Sequence, residues 1–349
     1  MISMMDILGG LLAETGQPGL PQLRQLLADL LDGSQSTGGL VSQHELKRSV
    51  FRLKYKIDGV LLSFIVKRLD PDVAQRNRLV VERWLPAVGL KENGPALLGS
   101  TADITGRFVW HVYEDFGENA LSRDKPDPEQ VRAAVALIAR LHTRFAEHPL
   151  LGECRLWGGD LGFHFYTSSV RDALRSIAAI RKSTLPFSSE RLDLLDRLFS
   201  HLSKLVDEEP YRSQLLKELG GPETLLHGDL WTQNIFTIPT QNGIHVRLID
   251  WDHAAVGPIA YDLSTFLYRF PVRDRVWILQ LYKNSLVSHD WQLPAVPELN
   301  LLFETAECAR IANRVIWPAI AVLDGQAAWG FEELAEVERW FRILEPVIV

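Results

Sequence analysis

The sequence predicts an α+β fold in two lobes, a small β-rich N-terminal lobe followed by a large, mostly helical C-terminal one. Three observations predict it. The chain has 349 residues, more than one compact core usually holds. Residues 49–113 contain apolar runs of strand type split by a hairpin turn. From residue 128 onward helical periodicity takes over, interrupted by one short hairpin.

Taken in order, residues 20–31 (LPQLRQLLADLL) have the spacing of a helix that ends near Gly33. Residues 34–39 (SQSTGG) read as a loop. Residues 49–57 (SVFRLKYKI) alternate apolar and polar side chains, Asp58-Gly59 is a hairpin turn, and residues 60–69 (VLLSFIVKRL) form the return strand. Pro71 opens a helix that runs to about Trp84 and is ended by Pro86. Residues 108–113 (FVWHVY) form a further strand. Residues 128–145 are an amphipathic helix with Val131, Val135, Ile138 and Leu141 on one face. Helical stretches follow at 168–182, 189–206 and 210–219, and helices resume from Asp262. Between them, residues 234–238 and 244–249 pair through the turn Asn242-Gly243.

Composition narrows the function. A net charge of -7 argues against a nucleic-acid binder and is compatible with a cationic substrate. Cys154 and Cys308 have no metal-ligand spacing and read as two buried thiols of a reducing cytosol. The first residues lack a basic region and their apolar stretch is closed by Glu14, so no signal peptide is expected. No run approaches the roughly 18 apolar residues of a membrane span. The expectation is a soluble cytoplasmic protein.

The chemistry concentrates in residues 225–252 (LLHGDLWTQNIFTIPTQNGIHVRLIDWD). His227-Gly228-Asp229 sits in a loop, Asn234 follows five positions after Asp229, and an apolar strand delivers Asp250 to its end. This is the spacing of the kinase catalytic loop followed by a metal-binding aspartate. Phosphoryl transfer needs the acceptor hydroxyl positioned and its proton accepted, which suits the carboxylate of Asp229. It also needs Mg²⁺ held against the phosphates of ATP by hard oxygen ligands, which Asn234 and Asp250 offer. Upstream, Lys67 lies in the apolar strand Phe64-Ile65-Val66-Lys67 and is read as the lysine on the α- and β-phosphates. Glu82, on the next helix, is read as its ion-pair partner. The domains follow: a helical extension over 1–36, a nucleotide-binding lobe over 37–117 with its hinge near residue 115, and a C-terminal lobe over 118–349 holding the catalytic loop and acceptor site.

These residues resemble the aminoglycoside phosphotransferase and choline kinase family. The likeness rests on Val66-Lys67 with Glu82, on Val112-Tyr113-Glu114-Asp115, on Ala139-Arg140-Leu141-His142, and on residues 226–234 with 248–263 (LIDWDHAAVGPIAYDL). It implies a two-lobed protein-kinase-like fold. It implies adenine between the lobes on hinge backbone near Glu114 and Phe116, Asp229 as catalytic base, Mg²⁺ on Asn234 and Asp250, and a structural role for Asp262. His-Gly-Asp-Leu-Trp is also similar to fructosamine and ketosamine kinases, although Ile249-Asp250-Trp251-Asp252 fits the aminoglycoside pattern better. One departure stands out. Kinase phosphate loops are usually rich in glycine, whereas residues 45–50 (ELKRSV) contain none, and Gly38-Gly39 comes too early. Lys47, Arg48 and the Ser49 hydroxyl are the alternative phosphate contacts.

The acceptor is expected to be a small molecule with a hydroxyl, such as an amino sugar, aminoglycoside or amino alcohol. Asp252, Glu304, Glu307 and Trp317 are its candidate contacts, the acids forming an acidic wall. A catalytically silent kinase-like binding protein is the reading from a different class, favoured only by the glycine-free loop. A protein kinase is disfavoured, because no D-F-G or A-P-E element follows Asn234.

Overall fold

The strand pattern of residues 50–69 becomes the centre of a five-stranded antiparallel sheet. The computed structural model describes residues 16–31, 38–286, 291–325 and 327–349. The sheet strands are β1 (Gly38–Lys47), β2 (Val50–Ile57), β3 (Val60–Leu69), β4 (Leu97–Ala102) and β5 (Val109–Glu114), in the order β1-β2-β3-β5-β4. Asp58 and Gly59 both have positive φ, 48° and 83°, as a two-residue turn between twisted strands requires. Residues 1–15 and 32–37, most of the expected extension and loop, lie outside the described residues. Gly38 and Gly39, expected in that loop, instead open β1. A Cβ on Gly38 would meet the Lys56 carbonyl oxygen at 2.1 Å, so the close pairing with β2 needs glycine there.

Helix α1 (Leu20–Leu31) covers one face of the sheet, and Leu23 and Leu27 are fully buried with Phe51, Leu53, Tyr55 and Trp110. Strand alternation does the sorting. Phe64 and Val66 point under α1, so Ile65 and Lys67 emerge on the opposite face. A one-residue register slip would drive the Lys67 ammonium into this apolar layer. Helix α2 (Pro71–Leu79) does not stop near Trp84. It continues through a π-helical turn, Val80–Trp84, into Leu85–Ala87. The wider turn precedes Pro86, which lacks a donor and crowds the preceding turn of an α-helix.

The chain forms two compact units. The first holds the residues up to Leu121 together with Gln233–Ala254; the second holds Ser122–Thr232 and Ala255–Val349. The expected 37–117 and 118–349 division differs from this grouping mainly in where Gln233–Ala254 is placed. The hairpin β6 (Ile235–Thr240) and β7 (Gly243–Leu248) goes with the sheet unit because its backbone is bonded there. Leu121 N–H donates to the Ile235 carbonyl at 2.8 Å and Thr237 N–H to that of Asn119 at 2.9 Å. Asn93 donates to the Val246 carbonyl at 2.8 Å, and Arg247 pairs with Glu114 at 2.9 Å.

The second unit is helical. Helix α3 (Pro128–Phe145) starts at Asp127, whose carboxylate accepts the N–H groups of Glu129 and Gln130 at 2.9 and 3.0 Å, with Pro128 in the first helical position. Val131, Val135, Ile138 and Leu141 are all buried, as their spacing requires. There follow α4 (Leu151–Trp157), α5 (Phe163–Lys182), α6 (Ser189–Asp207), α7 (Glu209–Leu219), α8 (Ala260–Tyr268), α9 (Val272–Ser285), α10 (Val296–Gly325) and α11 (Ala328–Ile343). Helix α10 packs against α5, α8 and α11. A short antiparallel pair, Thr224–Leu226 with Ala255–Gly257, flanks residues 227–254. No described helix is long and apolar enough to cross a membrane. Cys154 and Cys308 are both buried and unpaired, and burial pushes each thiol up to about 12.

Candidate active site

In the first unit, the face of the sheet opposite α1 borders a cavity of about 270 Å³. Its apolar lining includes Val50, Ile65, Tyr113, Phe116, Phe236 and Ile249; its polar end holds Lys67, Asn234 and Asp250. Phe116 packs against Phe236 with ring centroids 5.5 Å apart. Asp250 has the left-handed backbone φ 66°, ψ 56°, sparsely populated for a non-glycine residue, at the point where the chain leaves β7. The Asn234 carbonyl accepts the Ile249 N–H at 2.9 Å, so the hairpin base holds Asn234 and Asp250 side by side although sixteen positions separate them in the sequence.

Lys67 is buried, and its ammonium bonds to Asp250 Oδ1 and to both Asp252 oxygens, at 2.6 and 2.7 Å. Lys47 reaches the other Asp250 oxygen at 2.8 Å. Burial makes charge on Asp250 costly, but Lys67 and Lys47 outweigh it and hold the carboxyl well below the usual carboxylate range. Asp252 also accepts from Asn77 Nδ2 at 2.9 Å, and its backbone carbonyl accepts from Arg76. Asn234 and Asp250 thus offer an amide oxygen and a carboxylate whose ionised form is favoured by its lysine partners. Among the described residues no group of three or more His, Cys, Asp and Glu side chains could hold a metal. Two hard protein oxygens nevertheless suit Mg²⁺, which takes its remaining ligands from phosphate and water. The donor set therefore fits that ion.

One expectation upstream changes. Glu82 does not pair with Lys67. Arg78, four positions earlier on the same helical stretch, takes its carboxylate at 2.7 Å, while Asp250 and Asp252 occupy the ammonium. Ser49 stands in the two-residue turn between β1 and β2 with φ 70°, and its oxygen accepts from Arg68 at 3.0 Å. In the expected hinge, Glu114 and Phe116 line the cavity, and the Glu114 carboxylate is held by the Ala96 N–H at 2.8 Å and by Arg247. Asp115 is tied to Arg52 at 2.9 Å and to the Ser63 hydroxyl at 2.6 Å.

In the second unit, the loop after Leu226 is fastened by Asp262 at the start of α8. Asp262 is fully buried and accepts the N–H groups of His227 and Gly228 at 2.7 and 2.9 Å. His142 approaches with Nε2 at 3.3 Å, and its Nδ1 lies 2.8 Å from the Tyr282 hydroxyl. A neutral His142 satisfies both contacts when Nε2–H donates to Asp262 and Nδ1 accepts from Tyr282. Burial again opposes the charge on Asp262, and His142 with the loop N–H groups overcomes it, so the carboxyl stays below its ordinary value. Gly228, with φ 82°, makes the turn that leads to Asp229.

Asp229 lines a cavity of about 410 Å³ together with Trp231 and Arg269, and with Glu307, Arg310 and Trp340 from the last two helices. The acidic wall expected here does not form. Asp252 is bound to Lys67, Glu304 is bound to Arg212 at 2.5 Å, and Trp317 is exposed. Of the expected acids only Glu307 lines the cavity, and three arginines, Arg269, Arg310 and Arg314, line it too. Arg310 and Arg314 are four positions apart on α10, one helix face, which is legible in the sequence once both signs of charge are counted.

A sheet unit with a lysine on β3 and a helical unit that anchors the loop at His227 and Gly228 define a protein-kinase-like fold. Residues 49–285 match the phosphotransferase enzyme family, and the chain belongs to it. Solved structures share the fold at low identity. An ethanolamine kinase of Plasmodium vivax is 14% identical, with 99% of this chain and 98% of that one covered and a TM-score of 0.58. APH(2″)-IIia, in a complex with GDP and kanamycin, is 12% identical over 92% and 98% of the two chains, with a TM-score of 0.58. Spectinomycin phosphotransferase APH(9)-Ia, in a complex with ADP and spectinomycin, is 14% identical over 94% and 95%, with a TM-score of 0.56. None of the curated proteins compared matches the chain.

Proposed function

We propose that the protein transfers the γ-phosphoryl group of ATP to a hydroxyl of a small molecule. The observation that carries this reading is the convergence of Lys67 and Lys47 on Asp250 beside Asn234, at the polar end of an otherwise apolar cavity of about 270 Å³. Tyr113 and Phe116 suit the adenine ring, with backbone near Glu114 and Phe116 as its hydrogen-bonding edge. Lys67 suits the α- and β-phosphates, and Lys47 stands in for the N–H groups of a glycine-rich loop. Asn234 and Asp250 would hold Mg²⁺, which neutralises phosphate charge when bound. Asp229 orients the acceptor hydroxyl and takes its proton as the oxygen attacks the γ-phosphorus. The bond from that phosphorus to the β,γ-bridging oxygen breaks, and ADP leaves with the electron pair. The nucleotides and antibiotics named in the complexes of the fold relatives support a nucleotide and a small acceptor here. Asp262 acts at one remove, by fixing the backbone of the loop that carries Asp229.

The test separates chemistry from binding. Asp229→Asn keeps the shape of the side chain and removes its basicity, so transfer should fall by about 10²–10⁴-fold with nucleotide affinity retained. Asp250→Ala should abolish the Mg²⁺-dependent part of ATP binding measured by calorimetry and leave the Mg²⁺-free part. Wild-type turnover in Asp229→Asn, or equal losses with and without Mg²⁺ in Asp250→Ala, would refute the assignment.

A further inference from the structure

The cavity beside Asp229 carries a charge pattern that bears on which alcohol it takes. Three guanidinium groups line it, against two carboxylates. Glu307 is already engaged: Ser264 Oγ donates to it at 2.6 Å, and Arg310 Nη1 lies 3.5 Å away. Among the described residues, Arg269 and Arg314 form no ion pair within 4 Å, and Arg310 Nη2 is buried without a hydrogen-bond partner. Burial makes the charge on Arg269 costly, only partly relieved by Glu307 and Asp229.

The aromatic walls point the same way. Arg269 lies over the Trp231 ring at 3.9 Å, and Arg314 over the Trp340 ring at 4.9 Å. An ammonium ligand would seek these π-faces, and cations of the chain itself already cover them. Arg269 Nε donates to the Thr265 carbonyl at 3.4 Å, and a guanidinium has further N–H donors suited to bidentate recognition of an oxyanion. Arg310, Arg314 and Trp340 lie beyond residue 285, outside the stretch that matches the family, so this chemistry belongs to the chain's own C-terminal helices.

We infer that the acceptor is an alcohol bearing an oxyanion, a carboxylate or a phosphate monoester, held by Arg269, Arg310 and Arg314 with its hydroxyl toward Asp229. This rests on Asp229 as the carboxylate that receives the hydroxyl proton. A cationic amino sugar or choline is the wrong charge for this wall.

The test is calorimetric titration of the full-length protein with glycerate, glycerol 3-phosphate, glycerol and choline at fixed ionic strength, with Mg-ADP titrated in parallel. Glycerate or glycerol 3-phosphate should bind about tenfold or more tightly than glycerol or choline, and the stronger of the two identifies the anion. Arg314→Gln, at an exposed position, and Arg269→Gln should each weaken that binding about 10–100-fold while Mg-ADP affinity holds. Tighter binding of choline or glycerol, no binding of either anion, or anion binding unmoved in both variants overturns the inference. Mg-ADP binding without anion binding overturns the oxyanion site alone. Anion binding in a protein that takes no nucleotide overturns the phosphotransfer reading and leaves the oxyanion site standing.

Discussion

Replacing Asp262 by alanine should cost the helical unit about 3–5 kcal/mol. Its carboxylate accepts two backbone N–H groups, from His227 at 2.7 Å and Gly228 at 2.9 Å, in a fully buried position. Each charge-assisted hydrogen bond contributes about 1.5–3 kcal/mol, and alanine leaves both donors buried without an acceptor. The His142 contact at 3.3 Å adds less. For a unit of about 200 residues, a kilocalorie corresponds to about 2–4 °C, so Tm should fall by about 6–20 °C. The pH dependence is a second signature. The folded carboxyl titrates below its unfolded value, so its stabilisation is complete above about pH 4 and is lost as the pH falls through the folded pKa. Differential scanning calorimetry of wild type and Asp262→Ala between pH 3 and pH 7 would measure both. Asp262→Asn should fall between them, because one amide oxygen can serve one loop N–H while the amide nitrogen opposes the other donor. A Tm within about 2 °C of wild type at pH 7 would refute the view that this carboxylate fastens the catalytic loop.

Other outcomes follow from the first unit. Lys67→Ala should lower kcat/KM for ATP by about 10–100-fold, the worth of one charge-assisted contact, whereas Glu82→Gln should stay within about twofold because it disturbs only the surface pair with Arg78; equal losses in steady-state kinetics would return Glu82 to the site. His111, buried beside Lys67 on the neighbouring strand, is held at about 4 by burial and then by Lys67 and Arg78. The unfolded chain therefore binds the extra proton, and stability should drop by about 3 kcal/mol as the pH falls from about 6.5 to about 4. Urea unfolding of His111→Gln should show a correspondingly shallower pH slope; an unchanged slope would contradict the shift.

Much of the fold is written locally. Asp58-Gly59 and the alternation around it mark the β2–β3 hairpin, and Asp127-Pro128 with the period of Val131, Val135 and Ile138 marks α3 to the residue. That Asn234 and Asp250 lie side by side is legible because a hairpin of that length brings its two ends together. Strand β4 (LLGSTA) escapes notice because its small residues suit a loop equally well, and only packing under Leu26 commits Gly99 to a sheet. The partner of Lys67 escapes for another reason. Spacing nominates Glu82, but Arg78 competes for it within one helix turn, and Asp252 arrives from a 3-10 turn nearly two hundred positions away. The walls of the second cavity are similar: residues 301–317 show both signs of charge, and only tertiary packing decides that Glu304 goes to Arg212 while Arg310 and Arg314 remain at the cavity.

The family match ends at residue 285, and α10 and α11 come after it. On the functional reading given above, part of the acceptor cavity falls outside the matched stretch. Apart from Lys47, the residues assigned to the phosphate donor lie in the matched stretch, residues 49–285. Arg310, Arg314 and Trp340, which line the second cavity from the C-terminal helix pair, lie beyond that stretch. Substitution there can redirect the enzyme to a different alcohol without passing through a variant that fails to bind nucleotide. A graft of residues 296–343 between relatives is therefore a route to exchanged acceptor preference on an unchanged phosphoryl-transfer platform.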